Sequence, residues 1–305
     1  MIRVAIIGFG KIAADQHLPA IAADPRFELV AVATPAGDPG GGVPWYSDAA
    51  ELLAAMDGAA DAIAICTPPS ARHDLARDAL LAGFDVLLEK PPTTTLGELD
   101  ALEALARERG GVLYTAWHSQ FAPAVARAAA LLADAAIDTL HISWREDVRK
   151  WHPGQQWIWN AGGFGVFDTG INALSILSQI APMPLLVRAA TLSVPENRQA
   201  PIAATIDFIG GDWRAAFDWR FDAGEEWTIQ IATRDGRRIA LRDGGARLTL
   251  DGVDQPVGDH GEYPQIYDRF ATLIGARACA VDREPLRIAA DAFMVARRES
   301  VAAFD

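Results

Sequence analysis

Residues 4 to 13 constrain the fold of this chain more than any other segment. An apolar run, Val-Ala-Ile-Ile, leads there directly into the pattern Gly-Phe-Gly-Lys-Ile-Ala. That order predicts a buried parallel strand that turns sharply into a helix. Gly8 would form the tight turn, Gly10 would let a pyrophosphate approach the backbone, and Ala13 would let helix and strand pack closely. A phosphate would then lie at the N-terminus of the helix.

Length, charge and cysteine content limit the class of protein. The chain has 305 residues, half of them hydrophobic, which is enough for two domains with their own cores. The formal net charge of −13 and the lack of a basic run argue against a nucleic-acid partner. Of the two cysteines, Cys66 lies in an apolar run, so we expect no disulfide framework and a reducing, cytoplasmic location. Neither a signal peptide nor an apolar run near ~20 residues is present, so no membrane partner is expected.

Strand and helix patterns alternate over the first third of the chain. After the opening strand, further strands are predicted at 27–34, 62–66, 86–88 and 112–116, with helices between them. Each strand ends in a loop that carries polar side chains, Thr67 and Lys90 among them. Ligands bind at the carboxyl ends of the strands in an open parallel sheet. We therefore predict an α/β fold whose first domain, residues 1–120, is a dinucleotide-binding Rossmann domain with a doubly wound parallel sheet.

After an alanine-rich helix predicted around residues 122–135, the pattern changes to the apolar alternation typical of antiparallel strands. Leu140, Ile142, Trp144 and Glu146 fall on one face of a predicted strand, so the carboxylate of Glu146 ends an apolar row. Further strands are predicted at 186–194, 202–208, 213–221, 227–231 and 237–242, and helices at 263–278 and 289–303. Residues 121–305 are thus predicted to form an α+β domain for substrate binding and oligomerisation, with a large open antiparallel sheet. Its last helix is a candidate for packing back on the first domain.

One apolar row of that sheet bears on self-association. Trp213, Phe217 and Trp219 share one face of a predicted strand. An exposed apolar row should be covered by something. We therefore consider a homo-oligomer that packs through this face.

Three motifs occur in register along the chain: Gly8-Phe9-Gly10-Lys11-Ile12-Ala13, Cys66-Thr67-Pro68-Pro69 and Glu89-Lys90-Pro91. Together they resemble the glucose–fructose oxidoreductase and inositol dehydrogenase (Gfo/Idh/MocA) family. Segments 144–159 and 165–172 are more specifically similar to the bacterial L-arabinose/D-galactose 1-dehydrogenases. The resemblance extends over nearly the whole chain. It implies oxidation of an aldopyranose such as D-galactose, L-arabinose or D-fucose at C1 to the lactone, with hydride transfer to NAD or NADP.

The resemblance also implies which residues form the site. It gives catalytic roles to Lys90, Asp168 and Asn172. The side chains expected to contact the sugar are His118, Glu146, Trp151, His152 and Trp227. The residues expected to bind the cofactor follow the strand ends, and they are Gly8, Phe9, Gly10, Lys11, Ile12, Thr34, Thr67, Pro68, Pro69, His73, Glu89 and Lys90. No metal is expected, because no pair of histidines stands at ligand spacing beside a carboxylate.

Oxidation at C1 needs a base and a donor that steadies the developing oxyanion, because the hydroxyl proton must leave as well. Asp168 and Asn172 are four residues apart, so a helix would place them on one face. Many family members have histidine where this chain has Asn172, and an amide is not a base near neutral pH. The base is therefore Lys90 or Asp168. We favour a coupled pair in which Asp168 accepts the proton and Lys90 donates a hydrogen bond.

Two other functions fit the same fold. One is a dehydrogenase of cyclic polyols such as inositol, and Asn172 in place of histidine weighs against it. The other is a non-catalytic regulator that senses NAD(P) or a sugar, since a fold does not fix a function. The presence of both Lys90 and Asp168 favours an enzyme over a sensor.

The end of the second strand bears on cofactor choice. An acidic residue there binds the ribose 2′-hydroxyl of NAD, and an arginine accommodates the 2′-phosphate of NADP. Thr34, Pro35 and Ala36 supply neither. NAD is therefore expected to serve at least as well as NADP.

Overall fold

The computed structural model describes all residues from Met1 to Asp305, and these form two compact units. The first unit comprises Met1–His118 and Gly261–Arg283, and the second comprises Ser119–His260 and Glu284–Asp305. This division differs from the predicted one because the chain returns to the first unit after residue 260. The apolar stripe of a helix predicts that the helix is buried, but it does not indicate which sheet the helix covers.

The strands and helices are as follows. The strands are β1 (Ile2–Ile7), β2 (Phe27–Ala33), β3 (Trp45–Tyr46), β4 (Ala62–Ile65), β5 (Asp85–Glu89), β6 (Leu113–Ala116), β7 (Ile137–Arg145), β8 (Val187–Pro195), β9 (Ala203–Phe208), β10 (Asp212–Asp218), β11 (Glu226–Thr233), β12 (Arg238–Arg242), β13 (Arg247–Leu250), β14 (Val253–Asp254) and β15 (Ala296–Val301). The α-helices are α1 (Leu18–Ala23), α2 (Ala49–Ala55), α3 (Pro69–Leu81), α4 (Leu96–Arg109), α5 (Val125–Leu132), α6 (Val148–Trp151), α7 (Phe167–Ile180), α8 (Glu262–Ala276) and α9 (Glu284–Val295). A π-helical turn, Ala13–His17, precedes α1.

The first unit is built on a six-stranded parallel sheet, as predicted. Its spatial order is β3-β2-β1-β4-β5-β6, and every neighbouring pair is parallel. β4 and β5 are buried along their whole length. β4 is accordingly apolar throughout, and β5 is apolar from Val86 to Leu88 between the buried carboxylates of Asp85 and Glu89. The strand order reverses between β1 and β4, and ligands of open parallel sheets bind at such a reversal.

Caps and aromatic packing fix the helices around this sheet. Asp48 accepts hydrogen bonds from the backbone N–H groups of the first turn of α2, and Thr95 forms a capping box with Glu98 at the start of α4. The later helix α8 packs on the same sheet, where the ring of Tyr267 lies 5.1 Å from that of Phe27. Residues far apart in sequence therefore complete the first unit.

The second unit contains a nine-stranded sheet with the order β14-β13-β12-β11-β7-β10-β9-β8-β15. The prediction of an antiparallel sheet is only partly right, because β10 runs parallel to β7 and β15 runs parallel to β8. The alternating pattern of a strand fixes its buried face but not the direction of its neighbours. The sheet is therefore mixed.

The apolar row considered for self-association is covered within the second unit. Trp213, Phe217 and Trp219 are 6%, 1% and 0% exposed. Helix α7 covers part of the row, with Phe167 packed edge-on to Phe217 at 5.6 Å. This row is therefore not available to a second copy of the chain, contrary to the expectation from sequence.

The end of the chain also differs from the prediction. Residues 289–303 were predicted to be a helix, but α9 ends at Val295, and residues Ala296–Val301 form strand β15 beside β8. The composition of this segment suits a helix, yet the open edge of β8 offers a ladder of backbone hydrogen bonds, and tertiary context overrides propensity. Both α9 and β15 belong to the second unit. No helix of the chain is long and apolar enough to cross a bilayer.

Candidate functional site

The turn after β1 has the geometry that a dinucleotide requires. Gly8 has φ of +89°, and a Cβ at this position would lie 2.8 Å from the backbone nitrogen of Thr67. Only glycine fits there without strain. A Cβ on Gly10 would meet no atom within 4 Å, so the backbone of Gly10 faces open space. Gly8 thus closes the turn and Gly10 leaves room beside it, and the approach of a pyrophosphate to Gly10 stays a prediction.

Thr67 supplies a polar group at the same place. It follows β4, and its hydroxyl oxygen is buried without a hydrogen-bond partner within the protein. A buried hydroxyl without a partner costs free energy, so such a group is suited to a bound polar ligand. The residues of this turn therefore fit a dinucleotide cofactor. Pro68 and Pro69 follow at the start of α3.

The other predicted cofactor residues of the β1, β2 and α3 segments occupy different environments. Phe9, Lys11 and Ile12 follow Gly8, and Lys11 forms an ion pair with Asp15 one turn later. Thr34 follows β2 and is 6% exposed. His73 lies on α3, where its Nδ1 is 3.1 Å from a carboxylate oxygen of Asp74. Their contact with a cofactor stays a prediction.

Lys90 follows the last residue of β5, and its backbone is held on both sides. The N–H of Lys90 donates a 2.9 Å hydrogen bond to Glu89 Oε2. The guanidinium of Arg72, only 5% exposed, donates to the carbonyl oxygens of Glu89 and Pro91. Sequence reasoning missed Arg72, because an arginine on a helix is usually exposed and the sequence does not indicate that this one reaches the end of β5. The turn that presents Lys90 is therefore rigidly supported.

Glu89, the last residue of β5, is held by other side chains of the first unit. It is 2% exposed, and its Oε1 accepts a 2.6 Å hydrogen bond from the Tyr263 hydroxyl and lies 2.9 Å from His17 Nε2. Its contact with the cofactor stays a prediction. Sequence reasoning missed His17 and Tyr263, which are 72 and 174 residues away along the chain.

His118 stands just after β6 in the first unit. Its Nδ1 lies 2.6 Å from Glu262 Oε2, and its ring stacks on that of Tyr263 at 5.7 Å. The carboxylate fixes the orientation of the imidazole. His118 lies in the first unit, whereas the other predicted sugar contacts lie in the second.

Asp168 lies in the first turn of α7, as the glycine-rich turn before it predicted, and is 4% exposed. Its Oδ2 is 3.6 Å from Nε2 of His152, which follows α6. The ring of His152 packs against that of Trp219 at 5.3 Å. Asn172 follows one turn after Asp168 on the same face of the helix. The structure therefore brings three predicted site residues, Asp168, Asn172 and His152, into one part of the second unit.

A second group of predicted residues forms beside β7. Glu146 is 2% exposed, and its Oε2 accepts a 2.7 Å hydrogen bond from Trp227 Nε1. The ring of Trp151 lies 5.4 Å from that of Trp227. Two nearby cations form ion pairs of their own, Lys150 with Glu225 and Arg149 with Asp147. Because Trp151 and His152 are consecutive, this group adjoins the one around Asp168.

Comparisons with known proteins agree with this fold. Residues 2–117 match a family model described as an oxidoreductase family with an NAD-binding Rossmann fold. The chain is 48% identical to galactose 1-dehydrogenase of Pseudomonas fluorescens, over 99% of this chain and 98% of that protein. It superposes on the crystal structure of D-galactose-1-dehydrogenase from Rhizobium etli with a TM-score of 0.92 and 48% identity, covering 100% of this chain and 98% of the other.

A more distant structure shares the fold alone. It is a 3-ketoreductase from Actinomadura kijaniata in complex with NADP and TDP-benzene, with a TM-score of 0.85 at 20% identity. It covers 98% of this chain and 99% of its own. The architecture of both units is thus retained where most of the sequence has changed.

Proposed function

The chain belongs to the Gfo/Idh/MocA family of NAD-binding oxidoreductases, and we propose that it is an NAD(P)-dependent aldose 1-dehydrogenase. The substrates are D-galactose, L-arabinose and D-fucose in their pyranose forms. The observation that carries this proposal is the 48% identity to a galactose 1-dehydrogenase over 99% of the chain, because it includes the second unit as well as the Rossmann unit. The second unit is where the predicted sugar contacts are concentrated.

The proposed reaction breaks two bonds of the sugar. The C1–H bond breaks with its electron pair, the O1–H bond breaks by loss of a proton, and C1=O of the lactone forms. The cofactor, when bound by the turns at Gly8, Gly10 and Thr67, supplies the acceptor for the hydride. Asp168 accepts the proton from O1, and the ammonium of Lys90 donates a hydrogen bond to the developing oxyanion. His152, next to Asp168, fixes the orientation of the carboxylate.

The tryptophans and Glu146 account for sugar binding in this proposal. The rings of Trp151 and Trp227 offer flat apolar faces for the C–H side of a pyranose, while Glu146 accepts hydrogen bonds from ring hydroxyls remote from C1. Trp227 Nε1 already holds one oxygen of Glu146 in place. A fixed acceptor of this kind distinguishes epimers better than an apolar pocket distinguishes substituents.

The test is a scan of D-galactose, L-arabinose, D-fucose, D-glucose and myo-inositol with NAD+ and with NADP+, followed by absorbance of the reduced nicotinamide. Lactone formation from the first three sugars supports the proposal. Turnover of myo-inositol alone would assign a cyclic polyol dehydrogenase instead. Tight cofactor binding with no turnover of any of the five would favour a sensor.

We expect NAD+ to be used at least as well as NADP+. The residues Thr34, Pro35 and Ala36 after β2 offer no charge to the 2′-phosphate, and Lys11 is engaged with Asp15. The measurement is kcat/KM for each cofactor at saturating sugar. Thr34→Asp serves as the comparison, because a carboxylate at this position should repel the 2′-phosphate and lower use of NADP+ selectively. A preference of the parent for NADP+ above about tenfold, equivalent to ~1.4 kcal/mol, contradicts this account.

Glu146→Gln is expected to weaken discrimination between D-galactose and D-glucose, which differ in configuration at C4. The parent should oxidise D-glucose poorly, because an inverted hydroxyl leaves the buried carboxylate oxygen unpaired. A substituent at C5 should change kcat/KM by only ~1–3 kcal/mol among the three good sugars. The measurement is kcat/KM for all four sugars with parent and variant.

Glu225→Gln is the matched control for Glu146→Gln, since Glu225 is bound to Lys150 rather than to Trp227. It should leave the ratio between the two sugars unchanged. Equal turnover of D-galactose and D-glucose by the parent would rule out the proposal that Glu146 recognises the configuration at C4. An unchanged ratio of kcat/KM for the two sugars in Glu146→Gln would show that Glu146 has a purely structural role.

Self-association through the sheet and a cytoplasmic location are two further proposals. With the Trp213 row buried, an oligomer formed through the sheet would use the opposite face, which bears His141, Arg238 and Arg242. Light scattering of the parent and of Arg238→Glu tests this face.

The two cysteines are not disulfide-bonded, which agrees with a reducing compartment such as the cytoplasm. Cell fractionation tests that location.

A further inference from the structure

A buried polar cluster lies beneath the turn that presents Lys90. It consists of His17, Glu89, Tyr263 and Tyr267, all within the first unit and none more than 2% exposed. Glu89 Oε1 lies 2.9 Å from His17 Nε2 and accepts a 2.6 Å hydrogen bond from the Tyr263 hydroxyl. Glu89 Oε2 accepts the 2.9 Å hydrogen bond from the N–H of Lys90. Both oxygens of a fully buried carboxylate are therefore in use.

His17 is held as firmly as the carboxylate that it contacts. Its Nδ1 lies 2.8 Å from the Tyr267 hydroxyl, and its ring packs edge-on against the rings of both tyrosines at 5.0 Å and 5.7 Å. An imidazolium has two N–H donors, which match Glu89 on one side and the Tyr267 oxygen on the other. The ring therefore has one orientation available, with both nitrogens occupied.

The charges of this pair follow from the same contacts. Burial raises the pKa of the Glu89 carboxyl, but the hydrogen bond and positive charge of His17, with His118 and Tyr263, bring that pKa down to about 2. Burial lowers the pKa of the His17 imidazole, while Cys66, Tyr267 and Glu89 raise it, so that it stands well above its usual range. The directions of both shifts favour an imidazolium beside a carboxylate. Replacing such a buried pair by apolar residues is often neutral for stability, so stability alone does not account for it.

We propose that His17 is a positioning residue for Lys90. His17 fixes the Glu89 carboxylate with the help of Tyr263 and Tyr267, and the carboxylate in turn fixes the backbone N–H of Lys90. This inference rests on the proposed role of Lys90 in C1 oxidation. The imidazole is completely buried, and its ring nitrogens face the Tyr267 hydroxyl and Glu89, so its effect on Lys90 passes through Glu89. A displacement of about 1 Å at a reacting group costs about 10²-fold in rate.

His17→Gln tests the inference, because glutamine can still donate to Glu89 but cannot carry the charge. We expect kcat to fall by about 10- to 100-fold, while KM for sugar and cofactor changes by less than about threefold. His141→Gln is the matched control, since His141 belongs to the other unit and its Nε2 lies 2.9 Å from a carboxylate oxygen of Asp212. The control should keep the parental kcat.

Amide hydrogen exchange at Lys90 measures the strength of its hydrogen bond to Glu89 independently of activity. Pro91 and Pro92 have no amide hydrogen, so Lys90 carries the last exchangeable amide of a peptide spanning residues 86–92. We expect its exchange to be at least about tenfold faster in cofactor-free His17→Gln than in the parent, because the hydrogen bond to Glu89 Oε2 is weakened. A merely structural role for His17 would speed exchange throughout the first unit rather than at this residue.

A second variant covers the case in which His17→Gln does not fold. Tyr263→Phe keeps the ring and removes only the donor to Glu89 Oε1, and it should lower kcat by about three- to tenfold with faster exchange at Lys90. Parental kcat together with parental exchange at Lys90 in a folded His17→Gln or Tyr263→Phe would overturn the inference. A parent that oxidises no sugar would instead contradict the proposed function, and the exchange measurement would still decide whether His17 holds the Lys90 backbone.

Discussion

Lys90→Ala and Asp168→Ala are each expected to lower kcat by at least about 10³-fold while changing the Kd of the cofactor by less than about threefold. Both residues are proposed to act on the sugar hydroxyl, and neither is proposed to hold the dinucleotide phosphates. Cofactor affinity is measured by fluorescence titration, and kcat by turnover of D-galactose. A large loss of cofactor affinity in either variant would show that the residue acts in binding rather than in chemistry.

The double variant shows whether the two groups act as a unit. If Asp168 accepts the proton only while Lys90 steadies the oxyanion, the double variant should be little slower than either single variant. Losses that add in log rate would show that the two groups work separately. Asp207→Ala is a matched control, because Asp207 is exposed on β9. It should retain parental kcat.

Gly8→Ala and Gly10→Ala are expected to separate folding from cofactor binding. Alanine at Gly8 must adopt φ near +89° and place its Cβ 2.8 Å from the backbone of Thr67. Strain and overpacking together should lower the free energy of unfolding of the first unit by about 2–4 kcal/mol. Chemical denaturation of the cofactor-free protein, followed by a probe in the first unit, measures this loss.

Gly10→Ala should behave in the opposite way. The added Cβ meets nothing within 4 Å, so stability without cofactor should stay parental, yet the methyl group would occupy the space where the pyrophosphate is proposed to lie. The Kd of the cofactor should rise at least about tenfold. Gly97→Ala, on α4 and also with open space at its Cβ, should change neither quantity. Parental cofactor affinity in Gly10→Ala would contradict the proposed place of the pyrophosphate.

The elements that are determined by interactions between residues close together in the sequence could be predicted well. β1, the glycine turn and the strands β4 and β5 follow from apolar runs and from the steric demands of Gly8, which act over a few residues. The start of α7 at Phe167 follows equally from the glycines before it. The spacing of Asp168 and Asn172 on that helix needed no tertiary information, because four residues make about one turn of an α-helix.

The errors share one physical cause. Residues 296–301 have helical composition but pair with β8, and the row of Trp213, Phe217 and Trp219 looked exposed but is buried, in part beneath α7. In both cases the partner lies far away along the chain. Local propensity is worth only a few tenths of a kcal/mol per residue, and pairing or burial against a distant element outweighs it.

By itself, the sequence determined the Rossmann unit, the family resemblance and the identity of Lys90 and Asp168 as candidates for the chemistry. Only the tertiary structure decided what holds those candidates. It placed Arg72, His17 and Tyr263 around the end of β5, and it set Trp227 against Glu146. Periodicity and motif spacing report on neighbours within one element, whereas a buried carboxylate is satisfied by whichever donors the packing of distant elements brings within hydrogen-bond reach.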